Sequence, residues 1–241
     1  MSITSYIALS SQMALQRQMD VVANNVANAS TPAYKGERVL FTEYLTRADA
    51  TTRYSFVEDR GTARDTKQGP IARTGNPLDV ALQGDGYLAV QTPLGTRYTR
   101  AGRFQLDPTG QIVTADGYPV LSDSNQPLAI PPDAGDVTID ADGTLRTQQQ
   151  GAAGKFQVVR FDNDQDLKPA ANGLYVTTAA GQPAPDTKVL QGMVEDSNVQ
   201  PIVEITRMMA VSRTFAAAKE MADGEDDRLK NAIDRLGRVA N

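Results

Sequence analysis

The residues best suited to chemistry in this chain are acidic, and they gather at turns. Asp162-Asn163-Asp164-Gln165-Asp166 has the alternating oxygen ligands that open a calcium-binding loop. Such a loop needs Gly at its sixth position for a sharp turn and Glu at its twelfth for bidentate ligation, and Leu167 and Gly173 stand there instead. The match fails, and the run reads as a solvated turn. Gly84-Asp85-Gly86 has glycines of the kind that cradle phosphates, but no helical pattern follows, so it reads as a hairpin turn. Asp79 and Asp85 could be paired carboxylates of a glycoside hydrolase, with nothing else in the sequence to complete the site. The chain has no Cys, no His and no Trp. That excludes disulfides, thiolate nucleophiles and Cys-type zinc sites, and it removes the commonest general base and metal ligand. The expectation is a protein that is not an enzyme, with no catalytic residue, no metal site and no cofactor.

Composition narrows the partners. A length of 241 residues with 40% apolar content suffices for one β domain plus helical extensions. The formal net charge of −5 disfavours broad nucleic-acid binding. No apolar run approaches the roughly 18–20 residues that span a bilayer, so no direct membrane insertion is expected. Met1-Ser2-Ile3-Thr4 lacks the basic start and apolar stretch of a secretory signal. The protein is therefore expected either to stay in the cytoplasm or to leave by a route without a cleaved signal.

The elements that must position these residues differ between the ends and the middle. Leu15, Met19, Val22 and Val26 fall on one helix face, and Ala8 extends it backwards. Asn24, Asn25 and Asn28 crowd the end of that helix, and Pro32 pushes Thr31 out of the α region, so the helix is expected to stop near Asn28. Residues 36–73 are polar, and Arg60 to Pro70 shows no period, which suggests an extended connector with short strands. Phe41, Tyr44 and Leu45 argue that its first part packs on something. Residues 74–190 are β-rich. Leu78, Val80 and Leu82 alternate with Asp79, Ala81 and Gln83, and Asp85-Gly86, Asp107 to Gly110, Asp116-Gly117 and Asp142-Gly143 supply turns. Near the end, Asn198 is a candidate N-cap and Pro201 fits a first helical turn. Met208, Phe215, Ala222, Leu229 and Leu236 then recur every seven residues, flanked by the seam Ile205, Ser212, Lys219, Asp226 and Ile233.

The reading is an α+β chain. It has a discontinuous helical, coiled-coil domain from both termini and a central antiparallel β-rich domain. The expected parts are an N-terminal helix over 1–35, an extended connector over 36–73, a central β domain over 74–190, and a C-terminal helix over 191–241 that pairs with 1–35. A helix of about 40 residues spans roughly 60 Å, which exceeds a small β domain. Its stripe must meet the other terminal helix or further copies of the chain. The candidate subunit-interface residues are therefore Leu15, Met19, Val22, Asn25, Val26 and Asn28 on the first helix. On the last helix they are Ile205, Met208, Phe215, Ala222, Leu229, Ile233 and Leu236.

Three blocks of sequence then carry a resemblance. Residues 23–38 read ANNVANASTPAYKGER. Residues 74–92 and 98–121 read TGNPLDVALQGDGYLAVQT and YTRAGRFQLDPTGQIVTADGYPVL. Residues 195–215 read EDSNVQPIVEITRMMAVSRTF. The set, in this order, resembles the flagellar axial proteins, the rod and hook components of bacteria. The short length and the start Tyr6-Ile7-Ala8-Leu9-Ser10 are most like the proximal-rod type, with a distal-rod or hook-type subunit as the alternative. Thr31-Pro32-Ala33-Tyr34 departs from the family, which often has Gly and Phe near the last two positions.

The resemblance implies a structural subunit of the basal-body rod, exported unfolded through the flagellar type III apparatus. Its partners would be other copies of itself and other rod proteins, assembled helically in the periplasm to transmit torque for motility. The two terminal helices would pair as an inner coiled coil, with the β domain outside it. A reading from another class is a soluble β-domain binding protein with helical oligomerisation arms.

Overall fold

The computed structural model describes residues 3–47, 53–131, 134–149 and 151–239. The chain is mixed α+β with a β-rich centre, and it divides into two compact units. One comprises Met1–Ala29, Gly36–Asp65 and Val199–Asn241; the other comprises Ser30–Lys35 and Thr66–Asn198.

The first unit contains helix α1 (Ile3–Ala27), strands β1 (Glu37–Arg47) and β2 (Arg53–Arg64), and helix α2 (Pro201–Val239). Helix α1 runs through Asn24 and Asn25 and ends at Ala27, and the Asn28 N–H closes onto the Asn24 carbonyl at 3.1 Å. Pro201 is the first residue of α2, where its missing N–H would have had no partner in any case. Asn198 is not the cap. Its amide donates to the Lys67 carbonyl at 3.0 Å, and the helix begins three residues later. Helices α1 and α2 pack on one another, and α1 also packs on β1 and β2.

The stretch read as a connector holds more order than its composition suggests. Strands β1 and β2 form a long antiparallel hairpin from Glu37 opposite Arg64 to Arg47 opposite Arg53, with a register shift between Val39 and Phe41. One face of the ribbon packs on α1, but the side chains it presents there include Glu37 and Thr42 as well as Val39, so the alternation carries little apolar contrast. The side chains of Tyr44 and Leu45 lie outside the described residues.

Among the described residues the second unit is built of strands, turns and two three-residue 3-10 helices. A six-stranded antiparallel sheet runs in the order Lys168–Pro169, Leu174–Val176, Gly95–Thr99, Tyr87–Thr92, Val158–Arg160, Gln182–Pro183. Both edge strands are two residues long and contain a proline, which blunts the sheet edges. A three-stranded sheet, Val137–Ile139, Thr144–Thr147 and Gly151–Lys155, packs beside it with three further two-stranded pairs. Val80, Leu88, Val90, Ile112, Val120, Leu128, Leu145 and Phe156 form the main core.

The Asp-Gly turns fall where expected at Asp107 to Gly110 and at Asp142-Gly143, with Gly110 and Gly143 at φ 83° and 84°. Two expectations change. The alternating stretch is a strand, Val80–Gln83, as read, but Val80, Ala81 and Leu82 are buried together with Asp79, and only Gln83 is exposed. Gly102 lies so close to this strand that a Cβ would fall 1.7 Å from the Val80 carbonyl oxygen. Gly84-Asp85-Gly86 is not a hairpin turn. It links Val80–Gln83, which pairs with Lys188–Gln191, to Tyr87–Thr92 in the six-stranded sheet.

Candidate functional site

In the first unit, the sequence stripe of α1 faces inward. Val22 and its neighbour Val21 are buried, and Leu15, Met19 and Val26 are half-buried. On α2 the inward residues step by four and three: Glu204, Met208, Val211, Phe215, Ala218 and Ala222, with Glu204 and Val211 buried. Met208, Phe215 and Ala222 thus lie on the inner face. The seam beside them is Val211 and Ala218 rather than Ser212 and Lys219. Ile205 turns outward and is 44% exposed. The side chains of Leu229, Ile233 and Leu236 lie outside the described residues.

Asn25 is spent inside the chain. Its Nδ2 donates to the Glu37 carbonyl and its Oδ1 accepts from the Glu37 N–H, both at 2.9 Å, as a neighbouring strand would. Its Nδ2 also reaches Glu204 Oε2 at 3.4 Å, and Glu204 Oε1 accepts from Arg207 at 2.5 Å. Asn28 Nδ2 donates to the Asn24 carbonyl at 2.9 Å, a local closure of the helix end. These bonds show what both amides do within one chain.

Each helix carries a second apolar stripe, pointed at solvent. On α1 it is Tyr6, Leu9 and Met13, at i, i+3 and i+7; on α2 it is Ile202, Ile205 and Met209, with the same spacing. Ile202 is 81% exposed and Met13 66%. Helices apolar on two faces are made to be covered on both. Sequence reading named Ile205 as an interface residue but missed the rest of this second stripe, because it looked for one face per helix, although the spacing was there to be seen.

The second unit hides a cluster that no local pattern announced. Glu195 is fully buried. Its Oε1 accepts from Lys35 Nζ at 2.5 Å and from the Gly69 N–H at 2.9 Å, and its Oε2 accepts from Arg100 Nε at 2.9 Å. The Arg100 guanidinium fans on to the carbonyls of Gly86 at 3.0 Å and Gly84 at 2.9 Å. Burial pushes the Glu195 carboxyl up, but the Arg100 and Lys35 charges and the Gly69 N–H outweigh it and hold the group below the ordinary glutamate value. Lys35 and Arg100 lie 160 and 95 residues from Glu195 in sequence, so no spacing rule could find them.

The acidic turns do local work. Asp107 accepts from the Thr109 and Gln111 N–H groups, each at 2.8 Å, and Asp79 accepts from Asn76 at 3.0 Å. Asn163 caps a single 3-10 turn, and Asp162 accepts from Gln182. Among the described residues no three His, Cys, Asp or Glu side chains converge to hold a metal ion. No helix among them is long and apolar enough to cross a membrane.

Known proteins place this architecture. Residues 6–35 match the family described as flagella basal body rod protein, residues 81–147 the FlgE/F/G D1 domain of flagellar hook protein, and residues 190–235 the C-terminal region of flagellar basal body rod FlgEFG protein. The chain belongs to the flagellar basal-body rod protein family. It is 40% identical to the flagellar basal-body rod protein FlgF of Caulobacter vibrioides, over 97% of this chain and 98% of that one. It is 34% identical to the FlgF of Rhizobium meliloti, over 96% and 97% of the two chains, and 32% identical to the flagellar basal-body rod protein FlgG of Bacillus subtilis, over 95% and 97%. The buried cluster draws one charge from each matched segment: Lys35 from the first, Arg100 from the second and Glu195 from the third.

Proposed function

We infer that this chain is a structural subunit of the flagellar basal-body rod and works by packing rather than by chemistry. The observation that carries the reading beyond family membership is the outward stripe on each terminal helix, Tyr6-Leu9-Met13 and Ile202-Ile205-Met209. Side chains of this size left in water at helical spacing are surfaces for further copies of the chain or for related rod proteins. The inner stripes, Leu15-Met19-Val22-Val26 against Met208-Val211-Phe215, support pairing of the terminal helices as a coiled coil.

The finer reading is a proximal-rod subunit in the periplasm, exported unfolded through the flagellar type III apparatus and helically assembled to transmit torque. Identity of 40% to a FlgF against 32% to a FlgG supports the proximal over the distal type. The test is electron microscopy of basal bodies from cells lacking the chain, with and without a complementing copy. Rods missing or truncated, and restored on complementation, are expected. Intact rods and hooks would reject the reading.

A further inference from the structure

Subunit packing leaves one feature unused: three charges sealed inside the β unit. We propose that Lys35, Arg100 and Glu195 form a clasp that fixes where the chain leaves that unit, which makes them positioning residues for the rod subunit. The mechanical meaning rests on the rod reading; the geometry does not.

The chain passes between its two units after residues 29, 35, 65 and 198. The segments of the β unit that lead to these passages are 30–35, 66–70 and 195–198, and they are laced together. The Ala33 N–H donates to the Glu195 carbonyl at 2.8 Å, and the Asn198 N–H donates to the Tyr34 carbonyl at 3.2 Å. Lys35 Nζ reaches the Lys67 carbonyl at 2.7 Å, and the Asn198 amide reaches the same carbonyl at 3.0 Å. The Asp196 N–H donates to the Pro70 carbonyl at 2.8 Å. At Gly69 the chains run so close that a Cβ would sit 2.1 Å from the Asp196 carbonyl oxygen.

Glu195 is the knot in this lacing. One carboxylate holds Lys35 from the first connector, Gly69 from the second and Arg100 from the body of the unit, and Arg100 is itself pinned to Gly84 and Gly86. Apolar side chains would hold the connectors together but let them slide. Charge-assisted hydrogen bonds are directional, so they resist shear and admit one register. Any force carried along the backbone between the units must run through these connectors, so a rod subunit under torque needs them fixed against the sheet.

The test is native-state hydrogen exchange on the full chain, comparing wild type with Glu195→Gln. The connector amides of Ala33, Gly69 and Asn198 are followed against the core amides of Ile112, Val120 and Leu128. The clasp predicts acceleration on the order of 100-fold at the connectors, with core amides within about threefold of wild type. If Glu195→Gln does not fold, Lys35→Met removes one donor while Arg100 and Gly69 still hold the carboxylate, and the same selectivity is expected. Cells carrying the variant should build rods yet lose swimming in viscous medium before they lose it in thin medium. Equal acceleration at all six amides, or none, would overturn the proposal, as would selective loosening with unimpaired swimming under load. The exchange measurement needs no rod, so its failure is separable from failure of the rod reading.

Discussion

The β unit encloses most of its apolar surface, and the helical unit leaves a stripe of each helix in water. In the β unit most large apolar side chains are enclosed, Leu94 and Leu106 excepted, the edges of the six-stranded sheet are two-residue strands with proline, and the buried charges of the Glu195 cluster find partners within hydrogen-bond reach. The helical unit closes one stripe of each helix and leaves another in water. The contrast separates what a chain needs for its own fold from what it holds for assembly. A finished domain spends its apolar area internally, whereas a building block keeps some in reserve.

Substitutions in the two units should therefore break different things. Phe215→Asp puts a charge on the inner face of α2. It is expected to open the helix pair and abolish swimming while the urea midpoint of the β unit stays at its wild-type value. Loss of that midpoint as well would erase the distinction between the units. Leu145→Ala makes the opposite cut. It empties a fully buried site and should destabilise the β unit by about 2–5 kcal/mol in urea unfolding, with the circular-dichroism signal of the helices lost only when the β unit unfolds or later.

A third change sharpens the charge cluster. The folded Glu195 value lies below its ordinary value of 4.5, so its contribution to stability is fully present above that value. It is lost as pH falls below 4.5 and through the lowered folded value. Urea midpoints from about pH 7 down to about pH 3 should drop along this limb in wild type, and Glu195→Gln should be weaker throughout with a shallower limb. The smallest effect belongs to Ala33, a buried residue with φ 56°. Ala33→Gly relieves about 1–2 kcal/mol of left-handed backbone cost and gives up about 0.8 kcal/mol of methyl burial. A net stabilisation under about 1 kcal/mol is expected in the same urea assay.

What the sequence disclosed follows the range of the forces involved. The end of α1 near Asn28 and the turns at Asp107 to Gly110 and Asp142-Gly143 depend on neighbours a few residues away, and they were legible; the start of α2 was legible only to within about a turn, with Asn198 read as its cap. Ala33 stood out as a departure from the family's usual Gly, and the structure gives it the positive φ that glycine serves. The β1–β2 hairpin reads only as an extended connector with short strands, because the face it turns to α1 mixes polar and apolar side chains and gives little alternation. The heptad on α2 was visible, but Met208 can be flanked by Ile205 or by Val211, and only the position of α1 chooses Val211 for the inner face. The Glu195 cluster was the least legible, since its members come from three distant segments and are ordinary surface types until the fold seals them.

The account stands on the outward stripes as assembly surfaces, and one measurement addresses them directly. Cells lacking the chain are complemented with a copy carrying Leu9→Asp and Ile205→Asp, and their purified basal bodies are examined by electron microscopy. Both sites are about half exposed, at 50% and 44%, so the isolated variant should keep its helices and the wild-type urea midpoint of its β unit. The prediction is a folded subunit with truncated or missing rods. Full-length rods bearing hooks would contradict it.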